Sequence, residues 1–305
     1  MPRLGYLAVS AAAVLWAAGG AFASYLIDEG ASFVELTEAR AWITALALGA
    51  AVALRRGNSR PAAGVPLGWV IVFGCSIAAA NLTYYASLSR LPVAIAITVQ
   101  YTAPGLVVLW ASIGERRRPG GRVIAALAGT MVGVALLVEL PVVISEGQLR
   151  LDALGLLTAG ASAVAFATYI FSGERVSRGM GALDAVLRGF VIASILWIVV
   201  QLVRGRPDTL LDRRFTTGVV FLAVATTIAP FLLFVWGLGR IRATDAAIVS
   251  TLEPLAAALI AFVWLDQSLS GWQLAGAALV LVGIGIVQIE RPPPAKVLAE
   301  RAAVE

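Results

Sequence analysis

The chain has 305 residues, of which 60% are hydrophobic and only 13% are charged, and its mean hydropathy is +0.89. A soluble domain of this size needs a far more polar surface, so the composition excludes a water-soluble protein and predicts one embedded in lipid. The formal net charge of +5 would suit a nucleic-acid partner, but the basic residues gather in turns between apolar segments, where they orient membrane proteins, and no nucleic-acid binding is expected.

Ten apolar segments fit between the polar turns, each about as long as an α-helix that crosses the hydrocarbon core. These predicted spans, numbered 1 to 10, lie at roughly 4–26, 33–54, 65–88, 91–112, 121–139, 152–172, 182–203, 216–238, 242–264 and 271–289, with boundaries accurate to about 2 to 4 residues. The predicted fold class is an all-α integral membrane protein.

The two halves of the chain repeat each other at a shift of 150 residues. Asn81–Pro104 aligns without a gap to Phe231–Pro254 with six identities in 24 positions, and Gly5 aligns with Gly155. Each half contains five spans, and because five is odd, the second half must enter the membrane from the opposite side. The sequence therefore predicts two inverted five-helix repeats.

The distribution of basic residues predicts the orientation. If the N-terminus is cytoplasmic, 16 of the 23 Lys and Arg residues lie on the cytoplasmic side and seven on the other, although four of the seven crowd one turn at 204–214. Both termini are therefore predicted to be cytoplasmic. The predicted domains are a first repeat at 1–140, a connector at 141–151, a second repeat at 152–290 and a disordered cytoplasmic tail at 291–305.

Span 1 begins like a secretory signal peptide, with a basic residue, an apolar run and small residues. The run is longer than the usual 7 to 15 residues or so, and its repeat partner is internal, so we interpret it as a transmembrane helix. It carries Trp16, which the repeat shift places opposite Phe166 of span 6. Glycines beside Trp16 indicate either close helix packing or a substrate site.

Spans 2 and 7 each contain an arginine within the helix, Arg40 and Arg188. A charge about 10 Å inside a span is costly, so it usually faces protein or water, or extends to the membrane surface. Asp184 precedes Arg188 by four residues, which is the spacing of an ion pair. Anchoring and a coupling or gating role are both compatible with this pattern.

Span 3 places Asn81, Tyr84 and Leu88 on one helical face. An amide and a phenol hydroxyl are costly to point at lipid. This face is therefore predicted to line a cavity, unless a hydrogen bond to a neighbouring helix satisfies the amide.

Prolines interrupt spans 4 and 9 at matching positions, Pro104 and Pro254. Because proline has no amide hydrogen, the carbonyls of Gln100 and Ser250 lose their helical partners. Interrupted helices at matching positions of inverted repeats indicate a transporter's binding site. A kink that serves only packing is the alternative.

Glu253 precedes the second proline and lies about 16 Å into span 9, near the membrane midplane. An ionised carboxylate at that depth costs on the order of 2.5 to 3.5 kcal/mol, so it should be paired, protonated or solvated. We predict a coupling or gating role for it. The alternative is a hydrogen bond that caps the interrupted helix.

Spans 6 and 8 complete the candidate site. Span 3 carries polar aromatic residues, whereas its repeat counterpart, span 8, carries the apolar Phe231 and Phe234. The two walls of a shared cavity would then differ in polarity, which suits an amphipathic solute. Small-residue stripes in spans 5 and 10 indicate helix packing or an oligomer face. The predicted substrate-binding residues are Trp16, Asn81, Tyr84, Gln100, Tyr101, Ser162, Phe166, Tyr169, Phe231 and Ser250. The predicted coupling or gating residues are Arg40, Arg188 and Glu253, and no catalytic or metal-binding residues are expected.

The paired five-helix halves, the basic turns at Arg90 and Arg240, and the Leu252–Leu255 motif (LEPL) before a glycine-rich last helix resemble the ten-helix EamA branch of the drug/metabolite transporter superfamily. The likeness covers almost the whole chain. It implies a secondary transporter of the bacterial inner membrane, without a cofactor, whose aromatic content resembles exporters of aromatic amino acids of the YddG type. Span 1 lacks the acidic residue that four-helix multidrug relatives use there, which argues against proton-driven exchange of lipophilic cations.

The predicted function is export of amino acids, aromatic or other neutral ones, by alternating access, and the protein is expected to be a monomer or homodimer. The alternatives are an efflux carrier for drugs or other metabolites such as sugars or nucleoside-like solutes, and, more remotely, a channel-like or structural protein. An enzyme is not expected, because the chain has no histidine and only one cysteine.

Overall fold

The structure, a computed structural model, describes residues 2–54, 64–116, 118–147, 152–204, 212–264 and 268–289. Within these ranges every regular element is a helix. Nine of the described spans are long and apolar enough to cross a membrane, and Gly121–Leu137 is a shorter apolar helix. The predicted class, ten helical spans in two sets of five, is confirmed there. The predicted tail at 291–305 and the end of the connector, 148–151, lie outside the described residues.

The helix boundaries follow the hydropathy pattern closely, with spans 4, 8 and 9 each divided into shorter helices. A five-residue π-helical segment, Val224–Ile228, joins the two parts of span 8. In chain order the described helices are α1 Pro2–Asp28, α2 Phe33–Leu54, α3 Leu67–Leu88, α4 Val93–Gln100, α5 Ala103–Glu115, α6 Gly121–Leu137, α7 Leu140–Ser145, α8 Ala153–Met180, α9 Ala182–Arg204, α10 Arg213–Ala223, α11 Ala229–Leu238, α12 Ala243–Ser250, α13 Leu252–Trp264 and α14 Gly271–Gln288.

Short polar residues set where several helices begin. Asp152 caps α8 by accepting a backbone amide at 2.7 Å, and Ser270 forms a capping box with Gln273 at the start of α14. Asp212 caps α10 through the amide of Arg214 at 2.9 Å. The side-chain hydrogen bond from Arg214 also holds the pKa of Asp212 below its ordinary value. These caps satisfy amides that the first helical turn leaves without partners.

Long-range contacts agree with helices that alternate in direction across the membrane. We call the side on which α1 begins the terminal face, and the other side the opposite face. Tyr6, near the start of α1, donates a hydrogen bond to Asp245 at the start of α12 (2.9 Å) and another to the carbonyl of Val287 at the end of α14 (3.3 Å). Ten crossings bring those three points to the same face.

The two repeats exchange equivalent contacts. A Cβ atom built on Gly5 would lie 2.7 Å from Ile241 Cγ2, and one on Gly155 would lie 2.7 Å from Leu91 Cγ. Gly5 and Gly155, like Leu91 and Ile241, are related by the 150-residue shift. The same glycine contact therefore occurs twice with the repeats interchanged, as expected when a pseudo-two-fold axis relates inverted halves.

The small residues predicted in spans 5 and 10 pack α6 against α14. A Cβ atom on Gly133 would lie 2.8 Å from the carbonyl oxygen of Gly276, and one on Gly283 would lie 2.5 Å from Thr130 Cγ2. Only glycine allows this approach of the two backbones. These stripes therefore serve helix packing within one chain.

Two segments differ from their prediction. α8 continues eight residues past the expected end at 172, to Met180, because charged residues ended the apolar pattern without ending the helix. The connector, expected to be polar, begins with the short apolar helix α7. Leu140 and Val143 of α7 pack beside Leu91 and Ile95, so burial of these apolar side chains stabilises the turn.

The π-helical segment, in which the helix widens by one residue, ends two residues before Pro230. Proline cannot donate to the carbonyl of Thr226. The hydroxyls of Thr226 and Thr227 both donate to the carbonyl of Leu222, at 2.8 and 3.0 Å. Gly19 of α1 packs directly on Thr226, where a Cβ atom would lie 2.5 Å from Thr226 Cβ. The two threonine hydroxyls thus satisfy the carbonyl of Leu222 inside the protein.

Candidate functional site

Both proline-bearing spans are interrupted at corresponding positions. α4 ends at Gln100 and α5 begins at Ala103, while α12 ends at Ser250 and α13 begins at Leu252. Each proline lies in the first turn of the second helix, where a missing amide hydrogen leaves no helical bond unmade. The predicted pair of matching breaks is confirmed.

A side-chain hydrogen bond joins the two breaks. Tyr101, directly after α4, donates from its hydroxyl to Oε2 of Glu253 at 2.9 Å. Tyr101 is buried, whereas Glu253 is only partly buried. Tyr84 of α3 lies near enough to interact electrostatically with both. Because the repeat shift pairs Glu253 with Ala103, this polar junction occurs once in the molecule.

Aromatic rings form a cluster at the centre of the helix bundle. It contains four predicted residues: Tyr169 lies 6.0 Å from Phe166 and 5.7 Å from Phe231, and Phe231 lies 5.3 Å from Trp16, measured between ring centroids. Three further rings complete this aromatic cluster, namely Phe73, Phe190 and Phe234. Phe234 is the repeat counterpart of Tyr84 and belongs to the apolar aromatic wall expected in span 8. Sequence reasoning missed the other two, for which the repeat offers no such signal.

Tyr169 occupies the middle of the aromatic cluster and is 3% exposed. Its hydroxyl is buried and has no hydrogen-bond partner among the described residues. A buried hydroxyl without a partner costs about 1 to 3 kcal/mol. Such a group is suited to a solute or water molecule that would supply the missing bond.

The helices bring the aromatic cluster and the polar junction side by side. α1, which carries Trp16, packs along α13, which carries Glu253. α8, which carries Tyr169, packs against both α4 and α5, on either side of Tyr101. Rings and a carboxylate therefore border the same region between the repeats.

Asn81 is partly exposed, and its amide is satisfied within its own helix. Its Nδ2 atom donates to the carbonyl of Ile77 at 2.8 Å, and its Oδ1 atom accepts from the Tyr85 hydroxyl at 3.3 Å. The expected alternative, a bond to a neighbouring helix, is therefore not what holds this side chain. Gln100, at the end of α4, is also partly exposed.

Two predicted serines are closed off from any solute in this conformation. Ser162 and Ser250 are both fully buried. The Ser162 hydroxyl donates to the carbonyl of Ala80 at 3.1 Å and ties α8 to α3, and the Ser250 hydroxyl donates to the carbonyl of Ala247 at 2.7 Å. Helical spacing could not show which way the hydroxyls of Ser162 and Ser250 point.

The two predicted arginines lie apart from this arrangement. Arg188 is exposed and forms no ion pair with Asp184 within the described structure, because an exposed pair at the membrane surface gains little. Arg40 is partly buried, and its Nη2 atom donates to Thr37 Oγ1 at 3.4 Å. The described hydrogen bonds, ion pairs and ring contacts connect neither arginine to the polar junction or the aromatic cluster.

Equivalent segments of the two repeats are buried to different extents. Six of the eight residues of α12 are buried, whereas in its counterpart α4 only Ile95 and Ala96 are. In a symmetric molecule these segments would have the same surroundings. α12 lies in the half toward the terminal face and α4 in the half toward the opposite face, so protein surrounds the broken helices more completely at the terminal face. We refer to these as the closed half and the more open half.

Two inverted five-helix repeats with broken helices meeting at a polar junction define a secondary transporter. The sequence profile of the EamA-like transporter family matches residues 3–139 and again residues 153–289. The chain belongs to this family of transporters, which are not enzymes, and is a multi-pass membrane protein.

Similar proteins include an amino-acid exporter and an inner membrane transporter. The threonine/homoserine exporter RhtA of Salmonella typhimurium is 26% identical over 229 residues, 74% of each chain. The uncharacterized inner membrane transporter YicL of the same species is 25% identical over 94% of this chain and 96% of the relative. Protein PecM of Dickeya dadantii is 24% identical over 79% and 80%. A crystal structure with 22% identity superposes with a TM-score of 0.73, covering 93% of this chain and 97% of that one, which shows the same fold.

Proposed function

We propose that this transporter exports amino acids, aromatic and other neutral ones, from the cytoplasm by alternating access. The observation that carries the proposal is the polar junction of Tyr101 and Glu253 at the two helix breaks, bordered by the aromatic cluster. The junction offers polar groups to the charged end of an amino acid. The rings offer flat apolar walls to its side chain.

The residues divide by their exposure in this conformation. Trp16, Phe166 and Phe231 are partly exposed and would contact the substrate side chain. Tyr84, Asn81 and Gln100 line the more open half, and the Tyr169 hydroxyl can gain a partner from the substrate. Ser250 would become available only if the closed half opened, and Ser162 only if α8 separated from α3.

The similar proteins support a small neutral substrate, because RhtA exports threonine and homoserine. The aromatic cluster supports a larger apolar side chain. A drug efflux carrier could use the aromatic rings in the same way as an amino-acid exporter. A carboxylate between the helix breaks, however, favours a solute with a positively charged group. Amino acids combine both features.

Two short turns, one between α3 and α4 and one between α11 and α12, couple the helices that move in alternating access. In the first, the amides of Arg90 and Leu91 donate to the carbonyl of Ser87, and in the second those of Arg240 and Ile241 donate to that of Gly237. The same bonded turn in each repeat ties the adjoining helices into pairs. We propose that these pairs rock as units about the site, with both termini in the cytoplasm.

The test is uptake of labelled phenylalanine and threonine by proteoliposomes containing the purified protein. We expect saturable uptake of at least one of them and competition between the two for the same site. Protein-free liposomes are the control. Flux that rises linearly with concentration, or saturable flux only of solutes without an amino group, would contradict the proposed function.

A further inference from the structure

We propose that Glu253 is the binding site for the ammonium group of the transported solute, with Tyr101 positioning its carboxylate. This inference rests on the proposed function and names the group through which the substrate is recognised. It differs from the coupling, gating and helix-capping roles that the sequence suggested for this residue.

The carboxylate of Glu253 has an incomplete set of partners. Its Oε2 atom accepts the hydrogen bond from Tyr101 at 2.9 Å, and the residue is partly exposed. Elsewhere in the described structure carboxylates pair with arginines, as Asp152 does with Arg90, Glu174 with Arg178 and Asp212 with Arg214. No described arginine or lysine pairs with Glu253, and the chain contains no histidine. A cation from outside the protein is therefore the partner that the site lacks.

Helix capping does not explain the carboxylate. Where side chains cap helices in this structure, they accept a backbone amide, as Asp152, Asp212 and Ser270 do. The contact that Glu253 makes is with the Tyr101 phenol, which belongs to the other repeat. Glu253 lies in the first turn of α13, where the helix dipole favours a negative charge. The described hydrogen bonds thus engage one carboxylate oxygen of Glu253 and leave the other for a ligand.

The surroundings of Glu253 fit a primary ammonium group. Such a group has three hydrogen-bond donors, and the free carboxylate oxygen would accept one of them. Aromatic faces attract cations as well, and Tyr84 and Tyr101 both lie within electrostatic range of Glu253. α1, which carries Trp16 of the aromatic cluster, packs against α13, which carries Glu253. A charge bound here would hold the solute so that its side chain meets the aromatic cluster.

The experiment compares two inhibitors of labelled phenylalanine uptake in proteoliposomes. Phenylethylamine keeps the ring and the ammonium group but lacks the carboxylate, and 3-phenylpropionate keeps the ring and the carboxylate but lacks the ammonium group. We expect the wild type to be inhibited at least about tenfold more strongly by the amine. Glu253→Gln should remove this preference and raise the KM for phenylalanine by about tenfold or more, as loss of one charged contact implies.

The conservative variant Glu253→Asp keeps the charge but shortens the side chain by one methylene. This variant should retain the preference for the amine but have a raised KM for phenylalanine. It serves as the test if Glu253→Gln does not fold. Tyr25→Phe, at a residue 57% exposed, is the matched control and should behave as wild type. An unchanged KM and unchanged amine preference in Glu253→Gln, or an unchanged KM in Glu253→Asp where Glu253→Gln fails to fold, would overturn the proposal.

Failure of the proposed function would give a different result. If the wild type carries no amino acid, thermal unfolding in detergent with phenylethylamine still reports binding. Stabilisation by the amine that disappears in Glu253→Gln would keep the ammonium site and reject the amino-acid substrate. No stabilisation of the wild type, together with no uptake, would reject both.

Discussion

Tyr169 shows how a single buried group can connect stability with transport. Its ring contacts four other rings of the aromatic cluster, while its hydroxyl has no partner among the described residues. Packing holds the ring in place, whereas the buried hydroxyl without a hydrogen bond lowers the stability of the substrate-free protein. We interpret this as a free-energy cost that a bound substrate reduces.

Tyr169→Phe should therefore stabilise the substrate-free protein by about 1 kcal/mol, because it removes an unsatisfied buried hydroxyl without changing the ring packing. Phenylalanine should stabilise the variant less than it stabilises the wild type. Thermal unfolding in detergent measures both effects. Tyr25→Phe, on an exposed side chain, is the control, and a less stable Tyr169→Phe variant would contradict this interpretation.

At the scale of elements, the end of α8 is bonded to the start of α12 at the terminal face. Glu174 Oε2 accepts the backbone amide of Ala243 at the start of α12 at 3.1 Å, and Glu174 pairs with Arg178 at 2.7 Å. Arg178 donates to the carbonyl of Ile241 at 3.3 Å. The repeat counterparts of Glu174 and Arg178 are Ser24 and Asp28, so the opposite face cannot form the same contact. This difference agrees with closure at the terminal face.

Glu174→Gln should shift the protein toward the conformation that is open at the terminal face. A suitable reporter is Ser250→Cys in a Cys75→Ser background, since Ser250 is fully buried in the closed half. We expect a membrane-impermeant maleimide, added at the terminal face, to label this cysteine about tenfold faster, because a hydrogen bond to a charged group contributes about 1.5 to 3 kcal/mol.

The matched control for Glu174→Gln is Asp152→Asn, which weakens the exposed pair with Arg90 at the opposite face (3.6 Å). It should leave labelling from the terminal face unchanged or lower it. Equal acceleration by both variants would indicate general loosening of the protein rather than release of one face.

At the scale of the whole molecule, the sequence predicted the spans, their number and the repeat, because lipid imposes a long apolar helix at every crossing. The matching prolines likewise predicted the breaks at Gln100 and Ser250, since a missing amide has the same effect in either repeat. These features are determined by the local sequence and can therefore be predicted from it.

Contacts between distant parts of the chain were not predictable in the same way. Tyr101 and Glu253 are separated by 152 positions, and neither spacing nor composition pairs them. Helical periodicity also could not show that the Ser162 hydroxyl turns toward a backbone carbonyl of α3. The unequal burial of α4 and α12 depends on which face is closed. Because one sequence adopts both conformations, its hydropathy pattern cannot show which of them a structure represents.

The central claim is that this molecule carries amino acids by alternating access through one site between its repeats. Counterflow tests it most directly: proteoliposomes loaded with unlabelled phenylalanine are diluted into a trace of labelled phenylalanine. A carrier exchanges the two through one site, so the account predicts that labelled phenylalanine rises transiently above its equilibrium level inside. Labelled phenylalanine that only approaches equilibrium, as through a channel, or that does not enter at all, would contradict the account.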